Sequence, residues 1–163
     1  MRVLLLAYYH PRHMRPLKQW AAVLREFGHE VREMYPDDYY KEDVLRELGC
    51  DYDLVIYFGH GVPTGWSGFS HISVQDLAAL NNQRPDRVVL SLSCYSLTDS
   101  GANVGSALLQ NKYAGLVGGY TEMVLYEDNK KNLDMIMQCI VTTGKVLPHE
   151  SHKSSLSLVG HSF

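Results

Sequence analysis

The chain has 163 residues, 45% of them hydrophobic and 20% charged, which suits one globular domain with a full core and leaves too little for a second. A net charge of −3, with the lysines and arginines scattered, excludes the basic footprint of a nucleic-acid or membrane-surface protein. Three cysteines do not pair into a disulfide framework, and no run approaches the roughly 18 apolar residues of a membrane span. The expectation is therefore a reduced, cytoplasmic protein whose thiols serve as core filler, metal ligands or nucleophiles.

Arg2 to Tyr9 reads as a strand apolar on both faces, and Met1 leads straight into it without a leader-like segment. Pro16 to Phe27 follows as a helix, with Leu17, Trp20, Ala21 and Leu24 at helical spacing and Gly28 to end it. A second strand is expected around His29 to Met34, then a turn at Pro36 to Asp38 and a short helix carrying Val44, Leu45 and Leu48. Leu54 to Phe58 is a purely apolar run that predicts a buried central strand, and Arg87 to Leu92 predicts another. Between them lie a glycine-, proline- and serine-rich loop over Gly61 to Ser70 and a helix capped by Ser73. Tyr113 to Val117 reads as a fifth strand, Asn129 to Thr143 as a long amphipathic helix closed by Gly144, and Ser155 to Val159 as a last strand.

Strand and helix alternate without repeats or low-complexity linkers, which predicts a three-layer α/β/α sandwich around a mostly parallel sheet, as a single domain over residues 1–163. In such sheets the ligand crevice lies beyond the carboxyl ends of the strands. Two central strands end in reactive side chains there, the first leading to Gly59-His60-Gly61 and the second to Ser93-Cys94-Tyr95. Neighbouring strands lie about 4.8 Å apart, so an imidazole and a thiol at adjacent ends can straddle one carbonyl group. The thiolate is a nucleophile, and imidazole both raises its population and protonates a leaving amine, so acyl transfer is the natural chemistry. The backbone N–H groups of Gly61 and Cys94 are the candidate donors to the developing oxyanion.

An apolar block followed by His60-Gly61, then a second followed by Ser93-Cys94, resembles the signature of the caspase-like cysteine peptidases, among them gingipains, clostripain, separases and CHAT domains. The stretch Tyr113 to Tyr120, with Asp128 beyond it, is similar to the strand and glycine turn of the CHAT and gingipain-like members. The resemblance implies the caspase-hemoglobinase fold, His60 as catalytic histidine, Cys94 as nucleophile and the Gly61 N–H as oxyanion donor. It implies hydrolysis of protein or peptide substrates without cofactor or metal, and leaves room for a regulatory protein partner. The Gln-Ala-Cys-x-Gly signature of true caspases is absent, Leu92 to Ser96 standing in its place.

Charges near the strand ends bear on substrate choice. Arg12 and Arg15 favour an acidic target, whereas Asp37, Asp38, Glu122, Glu127 and Asp128 favour a basic one. The acidic set is larger, so the expectation leans to a basic or neutral target with Asp37, Glu122 and Asp128 as substrate-binding residues. His10 with His13, and His149 with His152, lack a clear third metal ligand and read as solvated loop histidines. Cys50 and Cys139 read as packing residues. Two other readings stand beside the peptidase: an inactive binding or assembly module of the same fold, and a small nucleotide- or flavin-binding domain. No dinucleotide or phosphate-loop glycine motif follows the first strand.

Overall fold

The computed structural model describes residues 1–99, 101–146 and 156–160. Its elements are β1 (Arg2–Ala7), α1 (Pro11–Glu26), β2 (Glu30–Met34), α2 (Lys41–Leu48), β3 (Leu54–Phe58), β4 (Gly61–Val62), β5 (Gly65–Trp66), the single turn α3 (Gly68–His71), β6 (Ile72–Ser73), α4 (Val74–Ala78), β7 (Val88–Leu92), α5 (Val104–Gln110), β8 (Leu116–Gly119), α6 (Tyr126–Thr143) and β9 (Ser157–Gly160). The main sheet runs β2-β1-β3-β7-β8-β9. All its pairings are parallel except the last, where β9 lies antiparallel along β8. The three-layer α/β/α sandwich follows from how its strands are buried. On β1, Val3, Leu5 and Ala7 pack with Leu17, Ala21 and Leu24 of α1 and with Leu133, Ile136 and Ile140 of α6. The alternate residues Leu4 and Leu6 join Val44, Leu77, Val104 and Leu108 from α2, α4 and α5. A strand covered on both faces needs apolar residues at every position, which is why β1 and β3 read as unbroken runs.

Helix α1 begins at Pro11, five residues before the expected start at Pro16. The His10 side chain caps it by accepting from the Arg12 N–H, and Pro11 occupies the first turn, where its missing N–H costs nothing. Pro16 sits inside the helix and leaves the Arg12 carbonyl without its helical donor. The Tyr126 hydroxyl supplies one instead, at 2.5 Å.

Strand β8 starts three residues later than Tyr113 and runs through Gly118 and Gly119, which read as a turn in sequence. Side chains fill the space on both of its faces: a Cβ on Gly118 would stand 2.8 Å from Leu90 Cδ2, and one on Gly119 would stand 2.9 Å from Ser96 Cβ. The loop after β3 forms a small antiparallel ribbon, β4-β5-β6, and α5 is set by a cap rather than by apolar spacing. Its N-cap Asn103 accepts from the Ser106 N–H at 2.7 Å. The last strand is displaced to Ser157–Gly160, and Ser155 lies outside the described residues.

Candidate active site

The β3–β7 register pairs Phe58 with Leu92, and the Gly59 N–H donates to the Leu92 carbonyl at 3.2 Å. His60 and Cys94 therefore both stand two residues past the same rung, on neighbouring parallel strands at one edge of the sheet. Gly61 lies against the nucleophile candidate itself. A Cβ there would meet the Cys94 carbonyl oxygen and Ser93 Oγ, each at 2.7 Å, so this approach requires glycine.

The backbone of His60 is held from two sides, its carbonyl accepting from the Tyr57 hydroxyl at 2.7 Å and from the Ser67 N–H at 3.0 Å. The Tyr57 hydroxyl in turn accepts from the Gly68 N–H, and the Tyr57 ring stacks on Trp66 at 4.7 Å. This anchorage sustains a costly conformation, with Phe69, Ser70 and His71 all at positive φ. Left-handed backbone costs roughly 1–2 kcal/mol per non-glycine residue, so the ribbon beyond His60 is fixed by its contacts and not by local preference. The His60 ring meets Tyr8 edge-on at 4.6 Å and His13 at 5.0 Å between centres.

Cys94 opens a turn whose next residue, Tyr95, also has positive φ, at 62°. Beneath it three buried serines bond to one another, with Ser91 Oγ 2.6 Å from Ser96 Oγ and Ser93 Oγ 2.9 Å from the same atom. The Trp66 indole N–H donates to Ser91 at 2.7 Å, tying the turn to the ribbon. On the opposite face Asn129 donates to the Leu92 carbonyl at 2.8 Å, itself held by the Tyr120 hydroxyl. The segment between β8 and α6 then closes over the thiol. Tyr95 N–H donates to the Glu122 carbonyl, the Val124 N–H donates to Cys94 Sγ at 3.3 Å, and Sγ lies 3.7 Å from the Val124 carbonyl. Cys94 is half-buried.

The histidines of the first helix are not the solvated loop residues expected from sequence. His10 is an exposed cap, but His13 is 3% exposed, and among the described residues its Nδ1 has no hydrogen-bond partner. Burial, followed by the nearby His60, Arg12 and His10, lowers the His13 pKa from 6.5 to about 4. The unfolded chain therefore binds a proton more readily than the fold does. The stability from a neutral His13 is whole above about 6.5 and is lost as pH falls toward about 4. The loss is at most about 3 kcal/mol. His13→Phe should flatten this acid limb and raise the melting temperature at pH 5 more than at pH 8, as measured by thermal melts across that range. Equal gains at both pH values would rule out His13 as the source.

His60 is more exposed than His13, and its partial burial, then the Arg12 charge and His10, hold its imidazole below the ordinary 6.5. No group of three or more His, Cys, Asp or Glu side chains suited to a metal exists among the described residues, and His149 and His152 fall outside them. Cys50 is exposed on the α2–β3 connection, which overturns its reading as a packing residue, and Cys139 is half-buried on α6. Of the expected substrate-binding residues, Glu122 belongs to the segment that covers Cys94, and Asp128 lies beyond it in the first turn of α6. Asp37 does not: it is exposed after β2, three strand spacings, or about 14 Å, from β7. Sequence reasoning missed Tyr8, His13, Val124 and Tyr126. The first two follow the carboxyl end of β1, so the same edge rule would have found them.

This is the fold of the caspase-like cysteine peptidases, with His60 and Cys94 following neighbouring parallel strands at one edge of its sheet. A profile of peptidase family C25 matches residues 2–143, and the chain belongs to that family. The Arg-specific cysteine proteinase gingipain R superposes with a TM-score of 0.74 at 16% identity, over 86% of this chain and 36% of that one. The complex of Porphyromonas gingivalis RgpB pro- and mature domains gives 0.73 at 16% identity, over 86% and 37%. Separase in the Saccharomyces cerevisiae separase–securin complex gives 0.60 at 12% identity, over 85% of this chain and 9% of that one. The chain thus spans about a third of the gingipain chains. No curated protein matches it in sequence.

Proposed function

We propose that the chain is a cysteine endopeptidase domain acting through Cys94 and His60. The observation that carries the reading is the shared rung: an imidazole and a thiol leave adjacent parallel strands at the same level, at the edge where such sheets hold their ligands. Family membership and the gingipain-like fold support it. Cys94 Sγ attacks the substrate carbonyl carbon while His60 takes the thiol proton. The tetrahedral oxyanion is met by the N–H groups of Gly61 and Cys94, and collapse breaks the C–N bond as His60 protonates the departing amine. A thioester remains, which water hydrolyses as His60 takes the water proton and returns it to sulfur.

For entry of a substrate the Val124 backbone must release Sγ, since it engages the sulfur as both donor and acceptor. The RgpB mature domain is described with a pro-domain and separase with securin, and a regulatory protein partner acting on this segment fits the proposal. The test is covalent labelling by a peptidyl electrophile of wild-type and Cys94→Ala protein, read by intact mass. Labelling of the wild type alone is expected; equal labelling of both would move the nucleophile elsewhere, and a protein that binds peptides but is never labelled would be the inactive module.

A further inference from the structure

Among the described residues, the Arg12 cation beside the site has no counter-ion. Arg12, exposed in the first turn of α1, joins no ion pair among the described residues. Its guanidinium carbon lies 3.9 Å from the centre of the Tyr126 ring, and the Tyr126 hydroxyl donates to the Arg12 carbonyl that Pro16 leaves free. Short contacts tie this pair to both halves of the site. The Tyr126 ring meets His13 at 5.4 Å and His13 meets His60 at 5.0 Å, while two residues before Tyr126 the Val124 N–H grips Cys94 Sγ.

A guanidinium held over an aromatic face keeps N–H donors available, in the fork that matches a carboxylate. That contact has also restricted the side chain before any ligand arrives, so less freedom is lost on binding. Glu122, in the segment over Cys94, and Asp128, in the first turn of α6, do not pair with it among the described residues, and Asp37 stands beyond β1. Acidic residues outnumber basic ones in the loops, which made a basic or neutral target the sequence expectation, but placement decides and number does not.

We infer that Arg12 selects an acidic side chain, aspartate or glutamate, beside the scissile bond of the substrate. The cleavage step rests on the peptidase reading above; the recognition of a carboxylate does not. Matched peptide sets that differ only in Asp/Glu, neutral or Lys/Arg at the varied position decide it. Cleavage is read by mass spectrometry with wild-type, Arg12→Gln and Arg12→Glu protein, and binding by fluorescence anisotropy with Cys94→Ala protein. Wild type should cut beside acidic residues, and Arg12→Gln should lower the acidic-to-neutral ratio of kcat/KM by roughly 10- to 100-fold. Arg12→Glu should shift the preference toward Lys and Arg.

Cys94-dependent cleavage confined to Lys or Arg sites, or an acidic preference that Arg12→Gln leaves in place, overturns the inference while the peptidase reading stands. No cleavage, with acid-selective binding that the Cys94→Ala/Arg12→Gln double variant loses, keeps the carboxylate site and overturns the peptidase reading. Neither cleavage nor binding of acidic peptides overturns both.

Discussion

Alanine at Cys94 is expected to abolish peptide hydrolysis, and alanine at His60 to lower kcat by about a thousandfold, with both proteins still folded. The difference follows from chemistry. Without sulfur no acyl-enzyme forms, whereas without the imidazole the sulfur and the Gly61 and Cys94 N–H groups are still in place. The pH profile carries the second half of the argument. Burial and the Arg12 charge hold His60 below 6.5, so the imidazole is neutral at neutral pH and gains its proton only as pH falls. Activity that needs the neutral form is complete above that lowered pKa and lost beneath it, which puts the acid limb of kcat/KM below 6.5. Arg12→Gln removes one source of the depression and should move the limb upward. Steady-state kinetics from about pH 4.5 to 9, with circular dichroism to confirm folding, measure both shifts. An acid limb above 6.5 would mean that His60 is not the group whose titration limits the rate.

Much of this arrangement was legible in sequence because β1, β3 and β7 are buried on both faces, and such strands are written as unbroken apolar runs. Once the runs are placed, the edge rule picks out His60 and Cys94, since each is among the first residues past its strand. Other features are set by contacts distant in sequence, which no local pattern records. Pro16 signals a helix start until the Tyr126 hydroxyl, far along the chain, is seen to satisfy the carbonyl it orphans. Gly118-Gly119 reads as a turn until Leu90 and Ser96 are seen to occupy the space a side chain would need. His13 looked like a loop residue because its helix was begun too late. With α1 starting at Pro11, its position faces Tyr8, Phe58 and His60. Helix α5 lacks an apolar stripe long enough to announce itself, and its capping Asn103 lies in a stretch whose composition suits a loop equally well.

The largest effect on stability is expected at the opposite edge of the sheet. Arg87 is 1% exposed and, among the described residues, has no carboxylate as a hydrogen-bond partner. Its guanidinium donates to the carbonyls of Tyr52 at 2.8 Å and of Asn82 and Tyr113 at 2.9 Å, and lies 4.1 Å from the centre of the Tyr113 ring. These acceptors belong to the chain entering β3, the loop before β7 and the chain entering β8, so one side chain gathers the starts of three adjacent strands. Burial draws its pKa below the ordinary arginine value, but carbonyl dipoles and the ring face together keep the charge tolerable without a counter-ion. Arg87→Ala takes their donor from the Asn82 and Tyr113 carbonyls, leaves Tyr52 only its bond from Arg84, and opens a cavity, at a cost of about 3–5 kcal/mol, or roughly 10 °C in melting temperature. Arg87→Met restores most of the volume but none of the donors, and should recover less than half of the loss. Chemical denaturation of the three proteins separates the two contributions. If methionine restored wild-type stability, packing alone would account for Arg87, and the buried charge would contribute nothing to joining the strands.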